Sequence, residues 1–392
     1  MSKVIIAGVA MTEFTKPRPE VTYSDLAAAA TRDALADAGL DYSAIEQAYV
    51  GYVFGDSTAG QAALYQVGMT GIPIVNVNNN CSTGSTALYL ARQAVAAGAA
   101  ECVLALGFEQ MVPGALGDVF ADRPSPLGKF AELADELTSD RVTPRNVKLF
   151  GGAGAEYQKL YGTKPETFAR VTQKARRHAA NNPRAIFRTQ VTVEEVLASP
   201  SVYGPLTRLQ CCPPTSGAAA AVVVSERFAK RFGVQNQVAL RAQAMTTDFS
   251  TTFDDKSMIK LVGSELTATA AQLVYSEAGI GPEDVDVVEL HDCFTSNEII
   301  SYEGLGLTSR GTAEKFIWDG DNTYGGKVVT NPSGGLLSKG HPLGATGLAQ
   351  CAEIVWQLRG QTGVRQVAGA RIGLQHNLGL GGACVVGLYE KL

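Results

Sequence analysis

Apolar and polar positions along the chain fall into alternating blocks with the periods of strands and helices. "KVIIAGVAMT" (residues 3–12) predicts a buried strand, and "TYSDLAAAATRDALADAG" (residues 22–39) predicts an amphipathic helix that ends at Gly39. A second strand is predicted in "QAYVGYVFG" (residues 47–55), and a strand–helix–strand unit follows over residues 75–110. Near-continuous apolar strands between helices predict a parallel sheet that is covered on both faces.

The second half of the chain repeats this order of elements. A helix is predicted in "TATAAQLVYSEAG" (residues 267–279), a strand in "DVDVVELHDCF" (residues 284–294), and a loop leading into a helix in residues 331–360. Residues 370–390 then predict two strands around a glycine-rich turn. Each half therefore contains a strand, a polar loop and an apolar helix, which indicates a duplicated unit rather than a solenoid of short repeats.

Residues 118–199 interrupt this pattern, since they are charged, dotted with proline and only weakly periodic. We interpret them as an inserted loop domain over the sheet core, with enough arginine and lysine to meet a phosphorylated ligand. A solvated helical excursion fits the same composition equally well. The predicted division is 1–117 with 200–248 as the N-terminal half, 118–199 as the loop domain, and 249–392 as the C-terminal half.

The composition is that of a well-buried globular protein. Of the 392 residues, 45% are hydrophobic and 18% are charged, and a disordered chain would have far fewer apolar residues. The formal net charge of −5 leaves no basic surface for nucleic acid or an anionic membrane. No apolar segment reaches the ~20 residues that a membrane helix needs, so we expect no membrane insertion.

Targeting signals and cysteine usage favour the cytoplasm. The N-terminal "MSKVIIAGVAMTEFTK" predicts a first strand, because it lacks the apolar core and cleavage site of a signal peptide. Seven cysteines, an odd number, fit free thiols in a reducing compartment, and no C-x-x-C pair or histidine cluster suggests zinc. The closing "YEKL" is a poor match to a peroxisomal tripeptide, so the peroxisome is the alternative location.

Cys81 stands at the junction between "VNVNNN" and a helix of small residues, where the chemistry of a thiol changes. The unpaired N–H groups and the dipole of a helix N-terminus stabilise a thiolate, so we expect the pKa of Cys81 to be lowered. The same N–H groups can hold an oxyanion on a carbonyl that the sulfur attacks. A buried structural cysteine is the more usual fate of a free thiol, and this segment alone leaves both readings open.

A histidine in "GHPLGATG" (residues 340–347) has the constraints of a general base. His341 stands between Gly340 and Pro342, just before a helix that opens at Ala345, and this fixes its ring. A neutral imidazole near Cys81 could remove the thiol proton. Backbone hydrogen bonding in a glycine-rich loop is the alternative for this histidine taken alone.

Two further histidines stand at the ends of predicted strands. His291 and Cys293 belong to "ELHDCF", and His376 precedes a glycine-rich turn that includes Gly379. The fourth histidine, His178, is predicted on a charged helix face and receives no role. The other five cysteines are predicted to be core residues, namely Cys102, Cys211, Cys212, Cys351 and Cys384.

These four segments, in this order and spacing, resemble the thiolase superfamily over essentially the whole chain. "HDCF" and "QHN" replace the asparagine-led motif and the C-terminal Cys-x-Gly of ordinary thiolases, and they are similar to the sterol-carrier-protein type. "NVNNNCSTGSTAL", "QCCPPTSGAAAA", "GDNTYGGK" and "NPSGGLLSKGHPLGATGLAQCAE" are closely similar to that type as well. Because the chain ends at Leu392, directly after the last strand of the resemblance, we expect no lipid-carrier domain.

The resemblance implies an α/β thiolase fold, in which two like halves form a five-layered α/β/α/β/α core with an inserted loop domain, usually as a homodimer. It implies thiolytic cleavage of 3-ketoacyl-CoA to acetyl-CoA or propanoyl-CoA, with CoA as co-substrate and without a metal or other cofactor. The subgroup points to branched or bulky acyl chains, of the sterol-side-chain kind, in lipid degradation.

The resemblance also implies roles for single residues. Cys81 matches the acylated nucleophile, His341 its activating base and an oxyanion donor, and Cys293 the acid/base cysteine. His291 stands where ordinary thiolases have an asparagine that holds an oxyanion-hole water, and His376 stands where they have their second cysteine. We expect His376 to orient Cys293, with the reverse division of labour as the alternative. Support of the oxyanion and the loops is expected from Gly340, Gly379 and Asn331.

Three alternatives share the fold. A condensing enzyme of the ketoacyl-synthase kind has no use for a second active cysteine, so Cys293 argues against it. Aldolase-like relatives lack the catalytic cysteines, and both are present here. A non-catalytic lipid-CoA-binding homologue is disfavoured by the complete set of cysteines and histidines. The sequence therefore predicts a 3-ketoacyl-CoA thiolase, with an aldolase-like or non-catalytic homologue as the alternative.

Overall fold

Twelve strands and fifteen α-helices are present in the computed structural model, which describes residues 3–112, 120, 122–235 and 237–392. The strands are β1 (Val4–Met11), β2 (Gln47–Gly51), β3 (Ile74–Val77), β4 (Cys102–Glu109), β5 (Ser201–Tyr203), β6 (Leu206–Thr207), β7 (Gly217–Ser225), β8 (Val238–Thr246), β9 (Val287–Glu289), β10 (Val329–Thr330), β11 (Ile372–Gly379) and β12 (Ala383–Lys391). Ten of them form one mixed sheet in the order β10-β9-β11-β12-β8-β1-β7-β4-β2-β3, and β5 pairs with β6.

The helices vary from four to seventeen residues in length. They are α1 (Tyr23–Ala38), α2 (Ala59–Tyr65), α3 (Thr83–Ala96), α4 (Gly128–Thr138), α5 (Arg145–Tyr161), α6 (Pro165–Ala179), α7 (Val193–Ala198), α8 (Glu226–Phe232), α9 (Thr251–Asp254), α10 (Met258–Leu261), α11 (Ser264–Ala278), α12 (Thr295–Gly304), α13 (Ala313–Trp318), α14 (Gly335–Ser338) and α15 (Thr346–Arg359). Within the described residues, no helix has both the length and the hydropathy needed to cross a membrane.

The ten-stranded sheet consists of two halves with the same topology. Three neighbouring strands run parallel in each half, β3, β2 and β4 in the first and β10, β9 and β11 in the second. Two antiparallel strands complete each half, β7 and β1 in the first and β12 and β8 in the second. The halves meet where β1 pairs with β8. This repeat is the duplicated unit that the sequence pattern predicts.

The prediction of a parallel sheet is wrong for the inner strands of each half. Only three residues separate β11 from β12, and so short a connection permits only an antiparallel pair. The apolar pattern could not reveal this direction, because an inner strand such as β7 is buried at every position and therefore has the pattern of a parallel strand.

Helices α3 and α15 lie between the two halves of the sheet and form a central layer. Helix α15 contacts strands of both halves and packs against α3. Helix α1 covers the outer face of the first half, and α11 covers that of the second. In the part of the chain that the structure describes, three separate clusters of buried apolar residues fill the spaces between these layers. The layer order is therefore α/β/α/β/α, as the resemblance implies.

Close backbone approaches seat the loop before α15 against the first half. A Cβ atom on Gly107 of β4 would lie 2.1 Å from the carbonyl oxygen of Gly344, and one on Gly344 would lie 2.3 Å from the carbonyl oxygen of Phe108. A Cβ atom on Gly84 of α3 would also lie 2.7 Å from the Gly344 oxygen. Because only glycine fits at such distances, the loop that carries His341 packs directly on the end of β4 and the start of α3.

Helices α4 to α7 lie in the segment predicted as a loop domain. Helices α5 and α6 pack against α12 of the second half, and they bury Phe150 and Phe168 in the same apolar cluster. The reading of this segment as a solvated excursion is therefore wrong, while the predicted domain boundaries stay a prediction. The prediction that His178 lies on a charged helix face is also wrong. His178 is only 3% exposed, and its ring contacts Asn331 and Thr323.

Candidate active site

Cys81 lies in the tight turn that joins β3 to α3. Asn80 has a φ of 51°, so the chain reverses immediately before the cysteine, and Ser82 is the N-cap of the helix. The side chain of Asn80 donates to the carbonyl oxygen of Leu380 at 3.1 Å, which ties this turn to the second half. A Cβ atom on Gly379 would lie 2.2 Å from the carbonyl oxygen of Asn79, so the predicted loop-support residue Gly379 packs directly on the turn.

His341 is held through its backbone amide and through Nδ1 of its ring. Gly340 has a φ of 120°, a conformation that favours glycine, and the amide of His341 donates to Oγ1 of Thr215 at 3.1 Å. Nδ1 of the ring lies 2.7 Å from Oγ1 of Thr346, whose own hydrogen goes to the carbonyl oxygen of Pro342 at 2.9 Å. The threonine oxygen is then the acceptor, so His341 carries its proton on Nδ1. Nε2 is bare and buried, and it has no hydrogen-bond partner among the residues that the structure describes.

His291 lies opposite His341 at the end of β9. Its ring is buried, Nδ1 lies 3.0 Å from the side-chain nitrogen of Asn377, and the ring centroids of the two histidines are 5.1 Å apart at an interplanar angle of 82°. Ligand atoms of Cys81, His291 and His341 all lie within 4.8 Å of one another. Within the described part of the chain, this is the one cluster with the spacing of metal ligands. Because a thiol and two imidazoles this close together can also exchange protons, the same three groups are the candidate site for proton transfer.

Cys293 lines one cavity with Cys81, His291 and His341. Pairing between two segments that are distant in the sequence places it there. Its carbonyl oxygen accepts from the amide of Cys212 at 2.9 Å, and Cys211 forms an antiparallel bridge with Phe294. The prediction that Cys211 and Cys212 are core residues is wrong, since both are half-buried and line the cavity with Cys81 and Cys293. The core prediction is confirmed for the three remaining cysteines, Cys102, Cys351 and Cys384.

His376 lies behind this cavity and does not line it. Its Nε2 is 3.0 Å from Oγ1 of Thr267 on α11, and its Nδ1 accepts from the backbone amide of His291 at 3.4 Å. The expected partnership with Cys293 is therefore corrected, because the ring of His376 contacts the backbone of His291 instead. Period-two alternation along β11 explains this placement, since His376 and its neighbour Asn377 point to opposite faces of the sheet.

Asn331, a predicted support residue, stabilises the end of β9 from the outside of the cavity. It adopts a φ of 51°, donates its amide to the carbonyl oxygen of Val288 at 2.7 Å, and accepts from the amide of Leu290 at 2.8 Å. Its carbonyl oxygen lies 3.0 Å from Nδ1 of His178. These contacts fit a role in shaping the loop that carries His291, and the roles of all the predicted site residues stay predictions.

Burial sets the protonation of the site at neutral pH. Desolvation raises the pKa of Cys81 to about 12, the nearby charge of Glu109 adds to the rise, and the backbone amide of Cys81 lowers it. Burial likewise raises the pKa of Cys293 well above its ordinary value. The expected fall in the pKa of Cys81 is wrong for the resting thiol, because Cys81 precedes the N-cap and loss of water outweighs the helix N-terminus.

The histidines are neutral for the same reason. Burial lowers the pKa of His341 to about 3, and it lowers that of His291 well below its ordinary value, with further contributions from His341 and His376. The resting site therefore contains two protonated thiols and two neutral imidazoles. A neutral imidazole with a bare nitrogen is the form that can accept a proton from a thiol.

Glu109, at the end of β4, is a residue of the site that the sequence patterns missed. Its carboxylate accepts from the amides of Val53, Phe54 and Gly344 at 2.9–3.1 Å, so it joins the cavity wall to the His341 loop. Burial raises the pKa of Glu109 to about 7, and these three amides lower it. A carboxylate at the end of an otherwise apolar strand is the signal that could have identified it.

Cys81 lies between two cavities that share part of their lining. One, of about 400 Å³, is lined by His291, Cys293 and His341 together with apolar side chains. The other, of about 390 Å³, is lined by Phe54, the asparagines before Cys81, and residues of the turn after β11. The N-terminus of α5, at Arg145 and Asn146, borders both. A substrate that reacts at Cys81 can therefore extend in two directions.

Family comparisons agree with this architecture. The model of the thiolase N-terminal domain matches residues 4–227, and that of the thiolase C-terminal domain-like family matches residues 249–386. The chain therefore belongs to the thiolase family. Human sterol carrier protein 2 is 54% identical to it over 394 residues, which cover 100% of this chain and 72% of that protein. This similarity confirms the resemblance to the sterol-carrier-protein type.

Two further relatives are similar over nearly the whole chain. The benzoylsuccinyl-CoA thiolase subunit BbsB of Thauera aromatica is 38% identical over 386 residues, which cover 97% of this chain and 95% of that protein. The solved structure titled Ltp2-ChsH2(DUF35) aldolase superposes with a TM-score of 0.84 at 26% identity, covering 100% of this chain and 98% of that one. The thiolase fold predicted from the sequence is thus confirmed, and both a thiolase and an aldolase are among its relatives.

Proposed function

We propose that the protein is a 3-ketoacyl-CoA thiolase that acts through an acyl intermediate on Cys81. One observation carries the proposal, which is that Cys81, His341, His291 and Cys293 line a single cavity. These groups supply a nucleophile, a bare imidazole nitrogen, a second imidazole and a second thiol. Thiolysis needs a nucleophile with its base, a stabiliser for an enolate oxygen, and an acid for the departing carbon.

The first half-reaction transfers an acyl group to the enzyme. Nε2 of His341 takes the proton of Cys81 as the sulfur attacks the ketone carbon of the substrate. The bond between C2 and C3 then breaks, and its electron pair passes into the enolate of the departing acyl-CoA. Cys293 protonates the α-carbon of that enolate and becomes a thiolate. The protonated product departs as acetyl-CoA or propanoyl-CoA.

The second half-reaction restores the resting protonation of Cys81, His341 and Cys293. The Cys293 thiolate removes the thiol proton of an incoming CoA, and the CoA sulfur attacks the thioester on Cys81. The Cys81 sulfur departs and recovers its proton from His341. The products are two acyl-CoA molecules from one 3-ketoacyl-CoA and one CoA. No cofactor enters these steps, and CoA takes part as a co-substrate.

The two cavities at Cys81 support an orientation for the substrate. With the ketone carbon at Cys81, the α-carbon must meet Cys293 and the thioester oxygen must meet the imidazoles. The CoA side of the substrate then occupies the cavity that contains His291 and His341, and the acyl chain occupies the cavity of about 390 Å³ next to Phe54. That volume lies within the range of small-ligand pockets and supports a branched or bulky acyl group of the sterol-side-chain kind.

An aldolase-like activity is the second candidate, and the structural similarity to the Ltp2-ChsH2(DUF35) aldolase favours it. A retro-aldol reaction starts from a 3-hydroxyacyl-CoA, releases a carbonyl compound and consumes no CoA. It needs neither an acylated cysteine nor a second thiol. Cys81 and Cys293 in one cavity therefore support the thiolase over both the aldolase and a non-catalytic lipid-CoA-binding homologue.

Dimerisation is part of the proposal. Strand β3 is at the edge of the sheet, so within the described residues one of its sides has no neighbouring strand. Val75 of β3 is 45% exposed, and Met69, before this strand, is 77% exposed. An apolar edge of this kind fits a homodimer in which the β3 edges of the two subunits cover each other.

The cellular location stays a prediction, with the cytoplasm expected and the peroxisome as the alternative.

A cleavage assay tests the proposed function. The purified chain is incubated with CoA and a panel of straight, branched and steroid 3-ketoacyl-CoAs, and the acyl-CoA products are identified by mass spectrometry. We expect a shortened acyl-CoA together with acetyl-CoA or propanoyl-CoA, only when CoA is present. A matched panel of 3-hydroxyacyl-CoAs without CoA detects an aldolase. Carbonyl release from that panel, with no thiolysis of the first, would contradict the proposal.

A further inference from the structure

We infer that Asn377 is a positioning residue that keeps the proton of His291 on Nε2, the ring nitrogen left for the substrate. The inference deepens the proposed function and rests on it for the identity of that substrate. The side-chain nitrogen of Asn377 lies 3.0 Å from Nδ1 of His291, and both residues are buried. The consequence for His291 depends on which end of the Asn377 amide faces the ring.

A main-chain carbonyl at the far end of the hydrogen-bond network determines that orientation. The carbonyl oxygen of Gly347 can only accept, so the side-chain nitrogen of Gln375, 2.5 Å away, is the donor. The hydroxyl of Tyr389 donates to the oxygen of the same side chain at 2.5 Å. The Gln375 nitrogen also lies 3.1 Å from Oγ of Ser85 and donates to it. The hydroxyl of Ser85 must then give its own hydrogen elsewhere.

Among the described residues, the other hydrogen-bond partner of the Ser85 hydroxyl is the Asn377 amide. Oγ of Ser85 lies 2.7 Å from the side-chain oxygen of Asn377, so the serine donates and the oxygen accepts. The nitrogen of Asn377 therefore faces His291. Because an amide nitrogen is only a donor, Nδ1 of His291 accepts and carries no proton. A neutral ring has one proton, which is then on Nε2.

This tautomer makes His291 complementary to His341. His341 has its proton on Nδ1, held by Thr346, and presents a bare Nε2 to the cavity. His291, held by Asn377, presents Nε2 with its proton. One ring can then accept the proton of Cys81 while the other donates to the thioester oxygen of the substrate, where enolate charge develops. Without Asn377, the proton of His291 could lie on either ring nitrogen.

The network is packed too tightly for its members to exchange orientations. A Cβ atom on Gly347 would lie 2.2 Å from Oγ of Ser85 and 2.8 Å from the side-chain oxygen of Asn377. The first turn of α15 therefore lies directly on the network, and only glycine fits there. Ser85 comes from α3 and Asn377 from β11, so the contact also joins the two like halves of the chain behind the site.

Nitrogen NMR of the full-length protein, labelled with ¹⁵N in its histidine rings, tests the tautomer without substrate. Protonated and bare ring nitrogens have well-separated shifts, and the signals of His291 are identified by their loss in His291→Gln. We expect a protonated Nε2 and a bare Nδ1 in the wild-type protein. In Asn377→Asp the carboxylate accepts from the ring, so the proton should move to Nδ1 or the ring should become doubly protonated.

Kinetics and two further variants complete the test. Asn377→Asp should lower kcat for thiolysis about 10–100-fold with little change in KM, and should add a pH-dependent limb from His291. Ser85→Ala, which releases the amide without adding charge, should lower kcat in the same direction. Asn182→Asp places a carboxyl at an equally buried asparagine, whose side chain donates to the carbonyl oxygen of Ser333, and it should leave the tautomer of His291 unchanged.

A protonated Nδ1 on His291 in the wild-type protein contradicts the inference, and so does an unchanged ring in both Asn377→Asp and Ser85→Ala. An equal fall in kcat from Asn182→Asp marks the effect as one of stability and also counts against it. Absence of thiolysis in the wild-type protein contradicts the proposed function alone, because the tautomer is measured without substrate.

Discussion

His291 and His341 face each other edge to face across the cavity, with ring centroids 5.1 Å apart, and they are held by opposite hydrogen bonds. Nδ1 of His341 donates to Thr346, whereas Nδ1 of His291 accepts from Asn377. Two chemically identical side chains therefore present a bare nitrogen and an N–H group to the same space. A pair of this kind can remove a proton from a nucleophile and stabilise an oxyanion in one step.

Cys81→Ala should abolish thiolysis and covalent acylation while the fold is kept, because the side chain is at a turn and outside the apolar clusters. Mass spectrometry after incubation with an acyl-CoA donor measures the adduct. Cys102→Ala, in the core of β4, is the control and should still be acylated on Cys81. An adduct on another cysteine of the wild-type protein, with Cys81 unmodified, would show that the nucleophile is misassigned.

His341→Ala should lower kcat by about 10²–10⁴-fold while changing the KM for CoA far less, because a general base acts in the transition state. Thr346→Val is nearly isosteric and removes the acceptor for Nδ1 together with the hydrogen bond to the carbonyl oxygen of Pro342, so a loss of about 10–100-fold is expected. Steady-state kinetics of both variants measure the two parameters. Equal changes in kcat and KM would instead identify His341 as a residue that shapes the loop.

The parts of the site that the sequence predicted are those with local signals. Cys81 and His341 each stand at a loop–helix junction marked by glycine, proline or small residues, and such junctions are encoded within a few positions. Cys212 depends instead on a backbone contact with Cys293, which is remote in the sequence. No local pattern could predict that pairing.

Two errors at the site have specific physical causes. The placement of His376 required the register of β11, because one position decides whether a side chain faces α11 or the central layer. The protonation of Cys81 required its burial, because desolvation and the helix N-terminus act in opposite directions on the pKa of a thiol. The strands and helices themselves were predictable because both halves bury their strands on two faces.

Glu109→Gln should make the resting Cys81 thiol more reactive at alkaline pH. Burial raises the pKa of Glu109 to about 7, so above this pH its negative charge raises the pKa of Cys81, and glutamine removes that charge. The rate of Cys81 alkylation, followed by mass spectrometry, should rise several-fold at pH 9 and be unchanged at pH 6, where Glu109 is protonated. A change of the same size at both pH values would indicate a structural effect on the Gly344 loop.

His178→Gln should remove an acid-dependent loss of stability. Burial, followed by the charge of Lys174, lowers the pKa of His178 from 6.5 to about 3, so between these values the unfolded chain binds a proton that the folded chain does not. Its contribution to stability is therefore complete above pH 6.5 and is lost as the pH falls towards 3. The free energy of unfolding in urea, wild type minus variant, should fall by about 2 kcal/mol between pH 7.5 and pH 5. A constant difference across this range would contradict the shift.

The division of labour between Cys293 and His376 can be separated at the α-carbon of the substrate. Cys293 lines the cavity with Cys81, whereas both ring nitrogens of His376 contact protein groups behind it. Cys293 should therefore move the α-proton, and His376 should act only by positioning the backbone of His291.

Solvent deuterium exchange into bound acetyl-CoA or propanoyl-CoA measures that proton transfer directly. Cys293→Ala should abolish exchange yet still permit some acyl transfer to Cys81, because the nucleophile and its base are intact. His376→Ala should slow exchange only about 10–100-fold, as expected for loss of a positioning group. Cys212→Ser, a change at a second thiol of the same cavity, is the control and should retain exchange. Exchange that persists in Cys293→Ala and vanishes in His376→Ala would reverse the two roles, and the proton would then have to reach the α-carbon through the imidazole behind His291.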